Sequence, residues 1–227
     1  MASFEHEELL RFEDQDAFNT WLRKHHMRTE AVWIHFAKKG KGTKSIHYAE
    51  ALEVALTWGW IDGVSGRIDD VFYKQRFTPR GLKSIWSKVN REKALALIAN
   101  GQMQPRGLAE VERAKADGRW DRAYDSPKNA APCAEFEEAL RANPKAKAFF
   151  DALDAQNRYA FLHRTNISVK PETRSKKIAL FVEMLARHEK FYTRDPETKK
   201  LVAIKKAIAP KKAAAKKAAA KPKRKSP

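Results

Sequence analysis

The spacing of apolar residues along the chain changes several times, and each change predicts a different element. In "DQDAFNTWLRKHH", Phe18, Trp21 and Leu22 recur at helical spacing behind an Asp-rich start, which predicts a short amphipathic helix. "EAVWIHFAKKG" alternates instead, with Val32, Ile34 and Phe36 on one side of a predicted strand and Trp33 and His35 on the other. Helical period returns in "HYAEALEVALTWG", where Tyr48, Leu52, Ala55 and Leu56 form a stripe and Gly59 stands at the expected C-terminus. "WIDGVSGRID" and "DVFYKQRFTP" then alternate roughly, with Gly63, Gly66 and the Asp69-Asp70 pair supplying turn residues, so two antiparallel strands are expected, the second ended by Pro79.

After this hairpin the pattern is helical. "NREKALALIANG" and "RGLAEVERAKADG" predict helices stopped by Gly101 and Gly118. Further helices are expected in "CAEFEEALRANP", "KAKAFFDALD", "NRYAFLHRTN" and "PETRSKKIALFVEMLARHEKF". In the last, Pro171 opens the helix and Ile178, Phe181, Val182 and Leu185 lie opposite Arg174, Lys177 and Arg187. The expected class is α+β: a small N-terminal antiparallel sheet with helices (1–118), a helical C-terminal half of the same body (119–192), and a Lys/Ala/Pro-rich tail (193–227) expected to be disordered when alone.

Charge sharpens this division. Of the formal net charge of +18, residues 199–227 carry +12, from twelve Lys or Arg and no acidic residue, which leaves the rest mildly basic at +6. Such a tail neutralises phosphates and releases counterions, giving salt-sensitive binding to DNA or RNA without base reading. The residues expected to do so are Lys211, Lys212, Lys216, Lys217, Lys221, Lys223, Arg224 and Lys225. A solvated, solubilising extension and a segment that binds anionic lipid are the alternatives. A single cysteine, Cys133, excludes an internal disulfide, and the acidic opening "MASFEHEELLRFEDQDAF" is unlike a signal peptide. No run reaches the roughly 18 apolar residues of a transmembrane helix, so a cytoplasmic protein with no transmembrane segment is expected.

The densest candidate chemistry lies in "GWIDGVSGRIDDVFYKQRFTPRGLKSIWSKVN", residues 59–90. One reading makes it a hairpin and a helix entry, with tryptophans in the core and Asp and Arg residues in surface pairs. The other makes Trp58, Trp60 and Trp86 the walls of a cleft for a small anionic ligand. The ligand-binding residues would then be Trp60, Asp62, Arg67, Asp69, Arg76, Arg80, Ser84, Trp86 and Asn90, because arginine forks match carboxylate or phosphate and helix N-termini favour anions.

Catalysis has weaker support. Arginines beside Asp62, Asp69 and Asp70 would depress carboxyl pKa values away from neutrality. Cys133 stands at a predicted helix start, where a thiolate is favoured, but has no sequence-identifiable His partner. The histidines show no ligand spacing, so no metal is expected, and the "KGKG" turn carries no Walker or dinucleotide fingerprint, so no cofactor is expected.

Read in order, "ALEVALTWGWIDG", "RIDD", "QRFTPR" and "SIWSKVN" resemble the YdeI/OmpD-associated family, also described as bacteriocin-protection proteins. The resemblance continues through "LIANGQMQPRGLAEVERAKADGRW" and resumes in "FLHRTNISVKPETRSKKIALFVEMLA", spanning about residues 15–190 and leaving the tail outside. It implies a role in tolerance of bacteriocins or cationic antimicrobial peptides and, by name, an association with an outer-membrane porin. It carries over no reaction and no catalytic set. The expected function is a non-catalytic stress-tolerance protein whose body binds a small anionic ligand or a protein partner and whose tail binds polyanions. A nucleoid- or RNA-associated protein is one alternative, and an enzyme acting on a small anionic metabolite is another.

Overall fold

The structure is a computed structural model and describes residues 7–193. The basic residues assigned to polyanion binding, Lys211 to Lys225, and the expected disorder of the tail lie outside the described residues. The chain divides into two compact units, Met1–Ala130 and Ala131–Pro227.

The first unit holds a four-stranded sheet in the order β1-β2-β4-β3, built from β1 (Glu8–Arg11), β2 (Val32–Ala37), β3 (Trp60–Arg67) and β4 (Phe72–Pro79). The sheet is antiparallel where the sequence predicts strands: β2 pairs with β4, with Trp33 opposite Arg76, and β3 pairs with β4 across an irregularity between Asp62 and Ser65. The unexpected member is β1, which runs parallel to β2 at the edge. Four residues with one half-buried and three exposed positions give almost no alternation to read.

Two apolar clusters surround this sheet. In one, α1 (Gln15–His25) and α2 (Tyr48–Thr57) put Phe18, Leu22, Val54, Ala55 and the adjoining Trp58 against Val32, Ile34, Phe36, Trp60 and Phe77. In the other, Leu52 and Leu56 of α2 meet Trp86, Leu97 of α3 (Lys88–Ala99), Val111 of α4 (Pro105–Ala116), and Trp120. Helix α2 therefore feeds both cores, which is why its apolar stripe is broad. The approach of α4 to α2 depends on Gly107, where a Cβ would stand 2.3 Å from the Thr57 carbonyl oxygen. Residues 119–130 belong with this unit: Trp120 and Ala123 join the second core, and Ser87 bridges to Tyr124.

The described residues of the second unit form four helices, α5 (Ala134–Arg141), α6 (Pro144–Asp151), α7 (Ala155–Asn166) and α8 (Pro171–Ala186). Asn143 and Asp154 cap α6 and α7 through their side chains, and proline opens α6 and α8. The rings of Phe161 and Phe181 meet edge to face at 5.4 Å, and Ile178 and Leu185 complete the buried stripe of α8.

Candidate functional site

The hairpin of β3 and β4 delivers its charged residues to three separate places. At its tip Asp69 closes the turn, its Oδ1 accepting from the N–H groups of Val71 and Phe72 at 2.7 Å each. Those backbone bonds hold its carboxyl below the usual value. Arg67 pairs with Asp70 in the same exposed region. On the strand itself, Arg76 stands opposite Trp33 and clasps Glu7, donating Nε to Oε2 at 2.7 Å and Nη2 to Oε1 at 2.5 Å. This fork-to-fork pair satisfies both carboxylate oxygens.

The third place lies just beyond β4. The Arg80 N–H donates to the Gly59 carbonyl at 3.0 Å, which ties this residue to the start of β3. The residue is 5% exposed and its guanidinium lies over the Trp86 ring, with the guanidinium carbon 3.5 Å from the centroid. Nη1 makes only long contacts, to Ser84 Oγ at 3.5 Å and the Ile85 carbonyl at 3.4 Å. Nε and Nη2 are buried and have no acceptor among the described residues. Two further buried donors nearby, Trp86 Nε1 and Arg113 Nε, lack one as well.

The surroundings of Arg80 are charged but already committed. Arg113 of α4 pairs with the buried Glu110 and reaches the carbonyls of Arg80 and Gly81 at 3.5 and 3.4 Å. Arg119 pairs with Asp117 at 2.8 Å and donates to the Ser84 carbonyl at 2.6 Å. Burial pulls the Arg80 pKa down to about 10, opposed by the charges of Glu110, Tyr124 and Asp62 and reinforced by Arg119. Asp62 in turn accepts a hydrogen bond from the Tyr48 hydroxyl at 2.8 Å, and burial together with that bond raises the tyrosine pKa. Burial likewise raises Tyr124.

Of the nine residues expected to bind a ligand, the structure thus gathers Asp62, Arg80, Ser84 and Trp86. Trp60 is fully buried in the other core and donates its Nε1 to the His26 carbonyl at 3.1 Å. Trp58 is spent similarly on Asn19 at 2.7 Å. The Asn90 backbone N–H is taken by Ser87, the N-cap of α3, at 3.1 Å. Arg67 and Asp69 stay at the hairpin tip, and Arg76 is the residue clasped to Glu7. Sequence reading missed Tyr48, Glu110, Arg113, Arg119 and Tyr124. For Glu110 there was a usable signal, because it falls beside Val111 and in step with Gly107 and Ala114 on the buried side of α4.

At Cys133, burial raises the thiol pKa, so the helix start does not produce the thiolate its position suggested. Among the described residues no group of three or more His, Cys, Asp or Glu could hold a metal ion, and no helix is long and apolar enough to cross a membrane. The second unit has a cavity of about 370 Å³ lined by Tyr159, His163, Arg164 and Tyr192.

Comparison with known families divides the chain much as its units do. Residues 133–188 match the family described as "Bacteriocin-protection, YdeI or OmpD-Associated", which supports the expected membership and places it on the described helices of the second unit. Residues 10–110, which hold "GWIDG", "RFTPR" and "WSKVN", match a separate family described as a domain of unknown function (DUF8412). No curated protein and no solved structure matches the chain.

Proposed function

We propose that this chain, with its YdeI/OmpD-associated domain in the second unit, is a non-catalytic cytoplasmic binding protein whose first unit takes a small oxyanion at Arg80. The observation that carries this reading is the guanidinium group of a residue only 5% exposed, with two of its nitrogens buried and lacking acceptors among the described residues. An arginine in that condition forgoes hydrogen bonds worth about 1.5–3 kcal/mol each to charged partners. A carboxylate or phosphate would supply acceptors for Arg80, and the Trp86 ring beneath excludes water from one side. Its neighbours Glu110 and Asp117 are already paired with Arg113 and Arg119, and Asp62 makes no hydrogen bond to Arg80 and accepts instead from Tyr48.

The test is a thermal-unfolding series with acetate, phosphate and sulfate at constant ionic strength, on the wild type and on Arg80→Met and Arg76→Met. At ten times its dissociation constant an anion would add about 1.4 kcal/mol, a rise of a few degrees in Tm. The rise is expected to be the same in the wild type and in Arg76→Met and clearly smaller in Arg80→Met. An equal rise in all three proteins would refute the site.

The tail supports a second, separate activity, because residues 199–227 carry twelve basic residues and no acidic one. Retention of DNA or RNA by the full chain should fall steeply with salt, and a version ending at Thr198 should lose it. Equal retention by both would assign nucleic-acid binding elsewhere.

A further inference from the structure

The connection between β2 and α2 reads "KKGKGTKS" over residues 38–45, and it overhangs a cavity of about 790 Å³. The floor is aromatic: Tyr73 stacks on Phe36 at 5.3 Å, and Tyr48 meets Phe36 edge on at 6.4 Å. Burial raises the pKa of both tyrosines, so both hydroxyls stay protonated at neutral pH. This volume lies within the range of small-molecule sites.

The backbone of the loop is the informative part. Gly40 and Gly42 have φ of +81° and +66°, whereas the intervening and flanking Lys39, Lys41 and Thr43 do not enter the positive-φ region. Alternation of the sign of φ from residue to residue is the backbone pattern from which anion-binding nests are built. The glycines are required by this conformation and not by crowding, since a Cβ at either would meet nothing within 4 Å. Within the loop the Lys38 N–H donates to Val71 and that of Lys41 to Lys38, while the N–H groups of Lys39, Gly40, Gly42, Thr43 and Lys44 have no acceptor among the described residues. Two lysines are engaged, Lys38 on the Asp69 carbonyl at 2.6 Å and Lys44 on Glu13 at 3.1 Å. Lys39 and Lys41 have no such partner among the described residues and flank the Gly40 apex.

We propose that this loop and cavity form a second site, which binds a phosphate monoester: the phosphate lies in the nest of loop N–H groups between Lys39 and Lys41, and the organic part lies on Tyr73 and Tyr48. The site does not include Arg80, although the two share an edge through Tyr48, whose hydroxyl donates to Asp62 at 2.8 Å. Its chemistry differs as well, because backbone N–H groups and mobile ammonium groups select a compact dianion, whereas the flat guanidinium over Trp86 selects a planar face.

The experiment is an amide-detected NMR titration of the full chain with phenyl phosphate, inorganic phosphate and phenol. Phenyl phosphate is expected to shift the Gly40, Gly42 and Thr43 amides saturably, with an affinity at least tenfold above that of inorganic phosphate. Phenol alone should leave those amides unmoved. A Gly40→Ala/Gly42→Ala variant should lose at least tenfold in affinity through the backbone, and Lys39→Ala/Lys41→Ala should weaken binding and flatten its salt dependence. No saturable shift of the loop amides at millimolar phenyl phosphate would overturn the proposal. Equal affinity for inorganic phosphate would overturn the role of the aromatic floor. Binding that survives the glycine variant but not the lysine variant would reduce the loop to diffuse surface charge.

Discussion

Arg76 and Arg80 are four residues apart, yet their surroundings are opposite in kind. Arg76 lies on β4 with about a fifth of its side chain exposed, and its Nε and Nη2 both end on Glu7, the residue just before β1. Arg80 lies past the end of the strand under Trp86, with long contacts for one nitrogen and none for two. The first arginine is a finished structural pair. The second has been desolvated without being paired, which structural need alone does not explain, and the contrast locates the candidate site better than any count of charged residues in the hairpin.

The largest effect should come from removing the platform of Arg80. Trp86→Ala empties a position 2% exposed that packs edge to face on Trp120 at 4.9 Å, and should cost about 3–5 kcal/mol in denaturant unfolding. A loss below about 1 kcal/mol would mean that the second core does not depend on this ring. Breaking the finished pair comes next. Glu7→Gln should cost about 1–3 kcal/mol, because Arg76 keeps its desolvation and loses its charge-assisted bonds.

This second loss has a defined pH dependence. The Arg76 hydrogen bond is the largest influence holding the Glu7 carboxyl below its ordinary value of 4.5. A folded-state pKa below the unfolded one gives stability that is fully present above the unfolded value and disappears as pH falls through the folded value. The gap between wild type and Glu7→Gln should therefore be constant above about pH 5 and close on further acidification. A gap unchanged in acid would show that the pair contributes through packing alone.

Arg80→Met is expected to do less to stability than Glu7→Gln, changing it by no more than about 1 kcal/mol, since it removes a buried charge that has no partner to abandon. A loss as large as that of Glu7→Gln would place Arg80 in the same structural class as Arg76. The comparison would then fail.

How much of this was legible in the sequence follows from where each signal lies. The alternation of Val32, Ile34 and Phe36 and the helical stripe of α2 report burial on one face, and these elements were readable. Edge strand β1 was not, because an exposed parallel edge leaves no alternation. Within the candidate site, the sequence collected three arginines that are neighbours in the chain, but the strand period sends Arg76 to the Trp33 side while Arg80 follows the chain out of the sheet. The groups that complete the Arg80 environment, Glu110, Arg113 and Tyr124, come from α4 and the segment after it, and no local spacing announces a contact made across some thirty residues. The tryptophans misled for a related reason: Trp60 and Trp86 are both buried, but in two different cores.

The smallest effect belongs to the pair that looked most like the others on paper. Arg67 and Asp70 are 71% and 84% exposed, so water and salt screen their attraction and holding two long side chains together costs entropy. Arg67→Ala should leave the unfolding midpoint unresolved from wild type at ordinary salt, and should leave any anion response intact. A clear loss of the anion response in this variant would move the ligand toward the hairpin tip and away from Arg80, because only a ligand reaching that far could make an exposed arginine matter. An unchanged response, set beside its reduction in Arg80→Met, would distinguish a guanidinium that water already satisfies from one that the fold leaves waiting for an acceptor.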